Sequence, residues 1–187
     1  MPFRNIYLYY SCVINERAKA ILEFCFVETP MEQWFKKDED FDDILKNNFK
    51  DDYNKAINDE YDSWKNNPDE CVALIMLLDQ FSRNFFRDNA KAYKQDKKSR
   101  DIVIEVIGKN YLYQLNEDKI HFLLLPLIHS EDIEDHIFGH NLVDKFLKNH
   151  SDYEKIKKAW NDHTAAIKKF GRYPHRNKIL KRDTTHK

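Results

Sequence analysis

At 187 residues the chain can bury about two-thirds of its unfolded surface, and 42% hydrophobic with 14% aromatic residues excludes disorder despite a charged fraction of 34%. Lys+Arg 31 against Asp+Glu 32 leaves almost no net charge, which argues against a general nucleic-acid binder. Gly 3 and Pro 5 leave little material for hairpin turns or a Gly-rich phosphate loop, so the composition predicts helices joined by polar turns.

Residues 1–15 read as a short strand or an irregular arm ahead of a single helical domain, 16–187. Ile6 to Tyr10 and Cys12 to Ile14 are apolar but too short to cross a bilayer, and no small-residue cleavage site follows, which predicts a cytoplasmic protein with no membrane partner. Cys12, Cys25 and Cys71 lie in apolar segments without paired spacing and read as buried thiols of a reducing compartment.

From Glu16, the residues Ala18, Ile21, Leu22, Cys25 and Phe26 recur at helix spacing until Thr29 and Pro30. A second helix runs from Asp38 to Ile57 on Phe41, Ile44, Leu45, Phe49, Tyr53, Ala56 and Ile57. Its acidic opening, Asp38 to Asp43, suits the positive end of the helix macrodipole better than it suits a metal. Pro68 follows Asn67 as a first helical residue, and Cys71 to Leu78 is apolar all round, which marks a central helix.

Further on, Asp96 is placed to cap a helix that runs to Gly108. Asn116 is placed to cap one that Pro126 should kink or stop. Ser130 reads as the N-cap of a helix whose buried stripe is Ile133, Ile137, Phe138, Leu142, Val143, Phe146 and Leu147. Ser151 with Glu154 has capping-box spacing for another, which Gly171 ends. Pro174 should begin a short final helix. The sum is an all-α chain of seven to eight antiparallel helices.

Polar residues interrupt the oily central helix at Asp79, Gln80, Arg83 and Asn84, where an unpaired charge would cost several kcal/mol. Asp79 with Arg83 and Gln80 with Asn84 stand at four-residue spacing, so each reads as a pair on one ridge. Two other polar stretches can answer them, His129 to Glu131 and Gly171 to Asn177. In the latter, His175 and Arg176 oppose the macrodipole of a helix begun at Pro174, an arrangement suited to gripping a phosphate or carboxylate. A purely structural ion network explains the same residues. Asp132, His136 and His140 lie on one helix face at metal-ligand spacing, but surface histidines account for them more simply, and neither a metal nor a cofactor is expected.

Three of these segments together resemble the signature stretches of the domain of unknown function 924 family: Leu77-Leu-Asp-Gln-Phe-Ser-Arg-Asn84, Leu125-Pro-Leu-Ile-His-Ser-Glu131 and Phe170-Gly-Arg-Tyr-Pro-His-Arg-Asn177. The likeness extends over about Glu16 to Thr185, with Trp34, Phe35, Phe41, Asp42 and Asp96 also in register. It implies a tetratricopeptide-repeat-like helical bundle with a site where the three segments meet, and implies no activity.

The resulting expectation is a pocket for a small anionic ligand, as in a hydrolase or transferase. Arg83, Arg172 and Arg176 would hold the anion beside Gln80, Asn84 and Asn177, while His129 and His175 transfer protons and Asp79 and Glu131 orient them. The alternative is a helical module binding a protein partner, with these residues as a buried polar lock.

Overall fold

A computed structural model describes residues 14–184, so the expected N-terminal arm and Cys12 lie outside the described residues. Among the described residues there are seven helices and no strand. Helix α1 is Glu16–Glu23, prolonged by a π-helical turn, Phe24–Glu28, and α2 is Glu39–Ile57. Helix α3 spans 68–85 in three segments: α-helical Pro68–Ile75, a π-helical turn Met76–Phe81, and α-helical Ser82–Phe85. Then come α4 (Asp96–Gly108), α5 (Glu117–His129), α6 (Ile133–Phe146) and α7 (Tyr153–Phe170), with 3-10 turns at Met31–Phe35, Ala90–Tyr93 and Pro174–Arg176 among the connections.

Local chemistry starts and stops these elements. Asn67 accepts from the Asp69 and Glu70 amides at 2.9 and 3.2 Å, with Pro68 at the first position, so α3 begins where a missing amide costs nothing. Asp38 caps α2 through the Phe41 amide at 3.0 Å. Gly171 ends α7 at φ 65, a left-handed conformation that costs glycine least.

Helix α3 is the hub. Its first segment packs on α1 and its later segments on α2, while α4 and α5 cover it from another side. Residues Cys71 to Leu78 are buried without exception, as a helix apolar on every face requires. From α4 onward each helix packs on the next, and α7 also returns to α5.

Several sequence expectations give way to tertiary forces. Helix α5 continues through Pro126, because one forfeited hydrogen bond, about 3 kcal/mol, is outweighed by burying Phe122 to Leu125 with Leu127 and Ile128. Ser130 closes α5 instead of capping α6; Asp132 caps α6, accepting from the Glu134 amide at 3.0 Å. Asp152, and not Ser151, precedes α7, and no side-chain cap forms there. Asp96 is the first residue of α4 rather than its cap, which frees its carboxylate for other work.

The α6 stripe is rotated from its expected face: Ile137 and Phe138 are 47% and 38% exposed, while Asp135, His136 and Gly139 are buried with Leu142 and Val143. Gly139 makes this possible, since a Cβ there would stand 2.2 Å from the Trp160 ring. Finally, Pro174 opens only a three-residue 3-10 turn, so no helix macrodipole exists there to bind an anion.

Candidate functional site

The π turn of α3 carries Asp79 and Gln80 themselves. A π turn inserts one extra residue into the repeat, so side chains beyond it face directions that α spacing does not predict. Asp79 is fully buried and collects three partners. Gln80 Nε2 donates to its Oδ2 at 2.6 Å, and both Arg83 Nη1 and His129 Nδ1 lie 2.9 Å from its Oδ1.

Arg83 reaches on to Asp96 at the start of α4, Nη2 to Oδ1 at 3.1 Å, and Arg176 Nη1 meets the other oxygen of the same carboxylate at 3.1 Å. The result is a line of alternating charge from Arg176 through Asp96 and Arg83 to Asp79, ending on the His129 ring. Each link brings together elements far apart in sequence. Such alternation lets every buried charge face an opposite one, which a desolvated group needs.

Arg176 is further held between two aromatic faces, its guanidinium 4.5 Å from both the Tyr93 and the Tyr173 ring centroids. Its Nε is buried without a hydrogen-bond partner among the described residues. Glu131 anchors the segment that carries it. One oxygen accepts the Tyr173 amide at 2.9 Å and the other accepts from Arg182 Nη1 at 2.6 Å, while the Tyr173 hydroxyl donates to the Ile128 carbonyl.

A cleft of about 720 Å³ opens over this cluster, lined by Asp96, His129, Glu131, Arg100, Arg176 and Arg182 among others. Burial lowers the pKa of His129 to about 4, helped by Arg83, so the ring is neutral at pH 7. Because the Asp79 carboxylate only accepts, the proton sits on Nδ1 and Nε2 keeps its lone pair. Burial alone would push Asp79 up, but Arg83 and His129 outweigh it and hold the group ionised. Asp96 goes the other way: burial, reinforced by Asp79, raises it to about 6 in spite of Arg83 and Arg176. The cleft thus presents a neutral imidazole and a carboxyl that titrates near pH 6, the combination that general acid–base chemistry uses.

Of the residues singled out in the sequence, Asp79, Gln80, Arg83, His129 and Arg176 join the line directly or by one bond, and Glu131 borders the cleft. Others do not join. Asn84 donates to Asp42 at 2.8 Å on another side of α3 and Gln80 donates to Asp79, so the expected Gln80–Asn84 pair does not form. Arg172 and His175 are not among the residues lining the cleft; the His175 ring rests 5.4 Å from Tyr173 and its side chain is exposed. Asn177 is buried beside Arg176. His136 and His140 both contact Thr164 Oγ1, at 3.0 and 2.9 Å, and no group of three or more possible metal ligands occurs among the described residues.

Sequence reasoning missed the role of Asp96 by reading it as a cap, and missed Tyr93, Tyr173 and Arg182. For Asp96 a signal existed, its register in the three-segment resemblance; for Arg182 there was none.

A family profile described as a bacterial protein of unknown function, DUF924, matches residues 21–187. Comparison with curated proteins gave no match. The solved structure of a protein of unknown function from Agrobacterium tumefaciens superposes with a TM-score of 0.82 at 33% sequence identity, covering 91% of this chain and 93% of that one.

Proposed function

The chain belongs to the DUF924 family of bacterial proteins of unknown function, and from that premise we propose that the cleft binds a small phosphate- or carboxylate-bearing molecule and transfers a proton to or from it, in hydrolysis or group transfer. One observation carries the reading: the lining of one cleft includes both a neutral imidazole, oriented by a buried carboxylate, and a guanidinium clamped between two tyrosine rings. Arg176 spends one nitrogen on Asp96 and is the anion ligand. His129 Nε2 is the base, Asp79 the group that positions it, and Asp96 a second proton carrier.

A small molecule fits better than a protein groove, because the exposed large hydrophobics are spread over separate elements: Val27 on the π turn that prolongs α1, Phe35 on a 3-10 turn, Ile44 on α2, Tyr113 between α4 and α5, and Ile137 with Phe138 on α6.

The test is thermal unfolding in inorganic phosphate and in citrate, beside turnover of p-nitrophenyl phosphate and p-nitrophenyl acetate. The wild type should gain melting temperature with anion concentration. Arg176→Ala should lose that gain, and His129→Gln should keep it while losing turnover. An equal gain in Arg176→Ala would overturn the assignment.

A further inference from the structure

A second cavity, about 330 Å³, shares His129 with the cleft. Its walls are largely apolar, formed by Met31, Phe35, Leu125, Ile128, Ile156 and Trp160. Glu32, Asp152, Lys155 and His163 also border it, and two of its lining side chains carry an unmet polar atom. Trp160 Nε1 and His121 Nδ1 are buried with no hydrogen-bond partner among the described residues, in side chains belonging to residues 1% and 6% exposed.

Neither is a casual defect, since a buried donor left unmet carries its full desolvation penalty. The chain satisfies a comparable group elsewhere: Trp34, also buried, donates its Nε1 to the Cys25 carbonyl at 3.3 Å. Trp160 is fixed in the opposite condition by Gly139, whose missing Cβ admits the Cζ3 and Cη2 edge of the indole. That edge is the benzene end of the indole, so the pyrrole ring that carries Nε1 lies at the end away from Gly139. His121 is held among rings, 5.3 Å from Phe122 and 6.2 Å from Phe35, which offer it no acceptor.

We infer that this cavity is a binding site for the acyl or aryl part of a small molecule, with a carbonyl oxygen accepting from Trp160 Nε1–H. An amide is the simplest such group, an acceptor oxygen for the indole with a donor N–H beside it. Since His129 borders both cavities, the substrate class becomes an anion that also carries an acyl or aryl group, reacting at their junction. That last step rests on the anion-binding reading of the cleft; occupation of the apolar cavity does not.

Benzamide, with benzene as the carbonyl-free control, tests the site by titration against the ¹⁵N-labelled indole signals of the three tryptophans. Benzamide should move the Trp160 signal saturably, leave that of Trp34 in place, and bind about fivefold more tightly than benzene, the difference one hydrogen bond makes. Trp160→Phe should reduce benzamide to the affinity of benzene. Ala159→Leu, placed at the exposed rim, should block both probes while leaving the melting-temperature gain in phosphate intact.

An unmoved Trp160 signal, or benzamide titrating alike in wild type and Ala159→Leu, overturns the proposal even where phosphate binds through Arg176. Benzamide binding without any phosphate effect leaves this cavity standing and removes the reading of the cleft.

Discussion

Asp42 and Asp79 are both buried carboxylates held by an arginine, Arg87 in the turn just past α3 and Arg83 within it, yet they do opposite things. Asp42, on α2, accepts from Arg87 through two nitrogens and from Asn84 at 2.8 Å. Among the described residues its partners hydrogen-bond to no second carboxylate, and Arg87 also donates to the Lys36 carbonyl at 2.9 Å. The network is closed and fastens α2 to the end of α3. Asp79 stands in a network that shares. Arg83 also serves Asp96, Asp96 also serves Arg176, and His129 presents its far side to a cleft. A polar cluster is therefore a lock or a site according to whether its members are exhausted by one another, and not according to which residue types compose it.

The largest effect that should separate the two is on stability. Asp42→Ala strands Arg87 and the buried amide of Asn84, and should cost about 3–5 kcal/mol in urea unfolding while leaving anion binding unchanged. Asp79→Ala should cost less, about 1–3 kcal/mol, because Arg83 keeps Asp96 at 3.1 Å and that carboxyl, relieved of a like charge, ionises more readily. A reversed order would show that the shared network is as closed as the other.

A subtler difference lies in pH. The folded-state pKa of Asp96 stands at about 6 against an ordinary 3.8, so the folded chain holds this proton more tightly than the unfolded one. Its contribution is full below about pH 4 and lost as pH rises through 6. His129, depressed to about 4 from 6.5, contributes above pH 6.5 and loses that contribution as pH falls through 4. The two slopes oppose each other in one window. Asp96→Asn removes the first alone, so its stability should climb more steeply than that of the wild type between pH 4 and 6, by about 1–3 kcal/mol across the interval. Parallel curves would place Asp96 outside the titrating cluster.

The smallest effect sharpens the boundary of the site. Arg172→Ala and His175→Ala should each change stability by no more than about 0.5 kcal/mol and leave the phosphate-induced gain in melting temperature untouched, since neither side chain lines the cleft.

How far the site was readable follows from the same physics. Asp79, Arg83 and His129 betrayed themselves by standing where an apolar helix or a helix end has no local use for them. Arg172 and His175 looked equivalent to Arg176 in the sequence, because all three crowd one turn, and only tertiary burial tells them apart: Arg176 is buried, Arg172 half-buried and His175 exposed. Asp96 was hidden by its plausibility as a cap, a role any acidic residue before a helix can fill.

What the sequence by itself determined was the set of helices, the centrality of 68–85, the start at Pro68 and the end at Gly171, since each follows from side-chain periodicity or from backbone chemistry acting within a few residues. The tertiary structure alone decided that α5 runs on through Pro126, that α6 turns His136 and Gly139 inward, and that the Asp96 carboxylate bridges Arg83 to Arg176, which lies 80 residues beyond Asp96 in the chain. Those outcomes depend on burial and on charges brought together from distant segments, and both are energies that no local stretch of sequence contains.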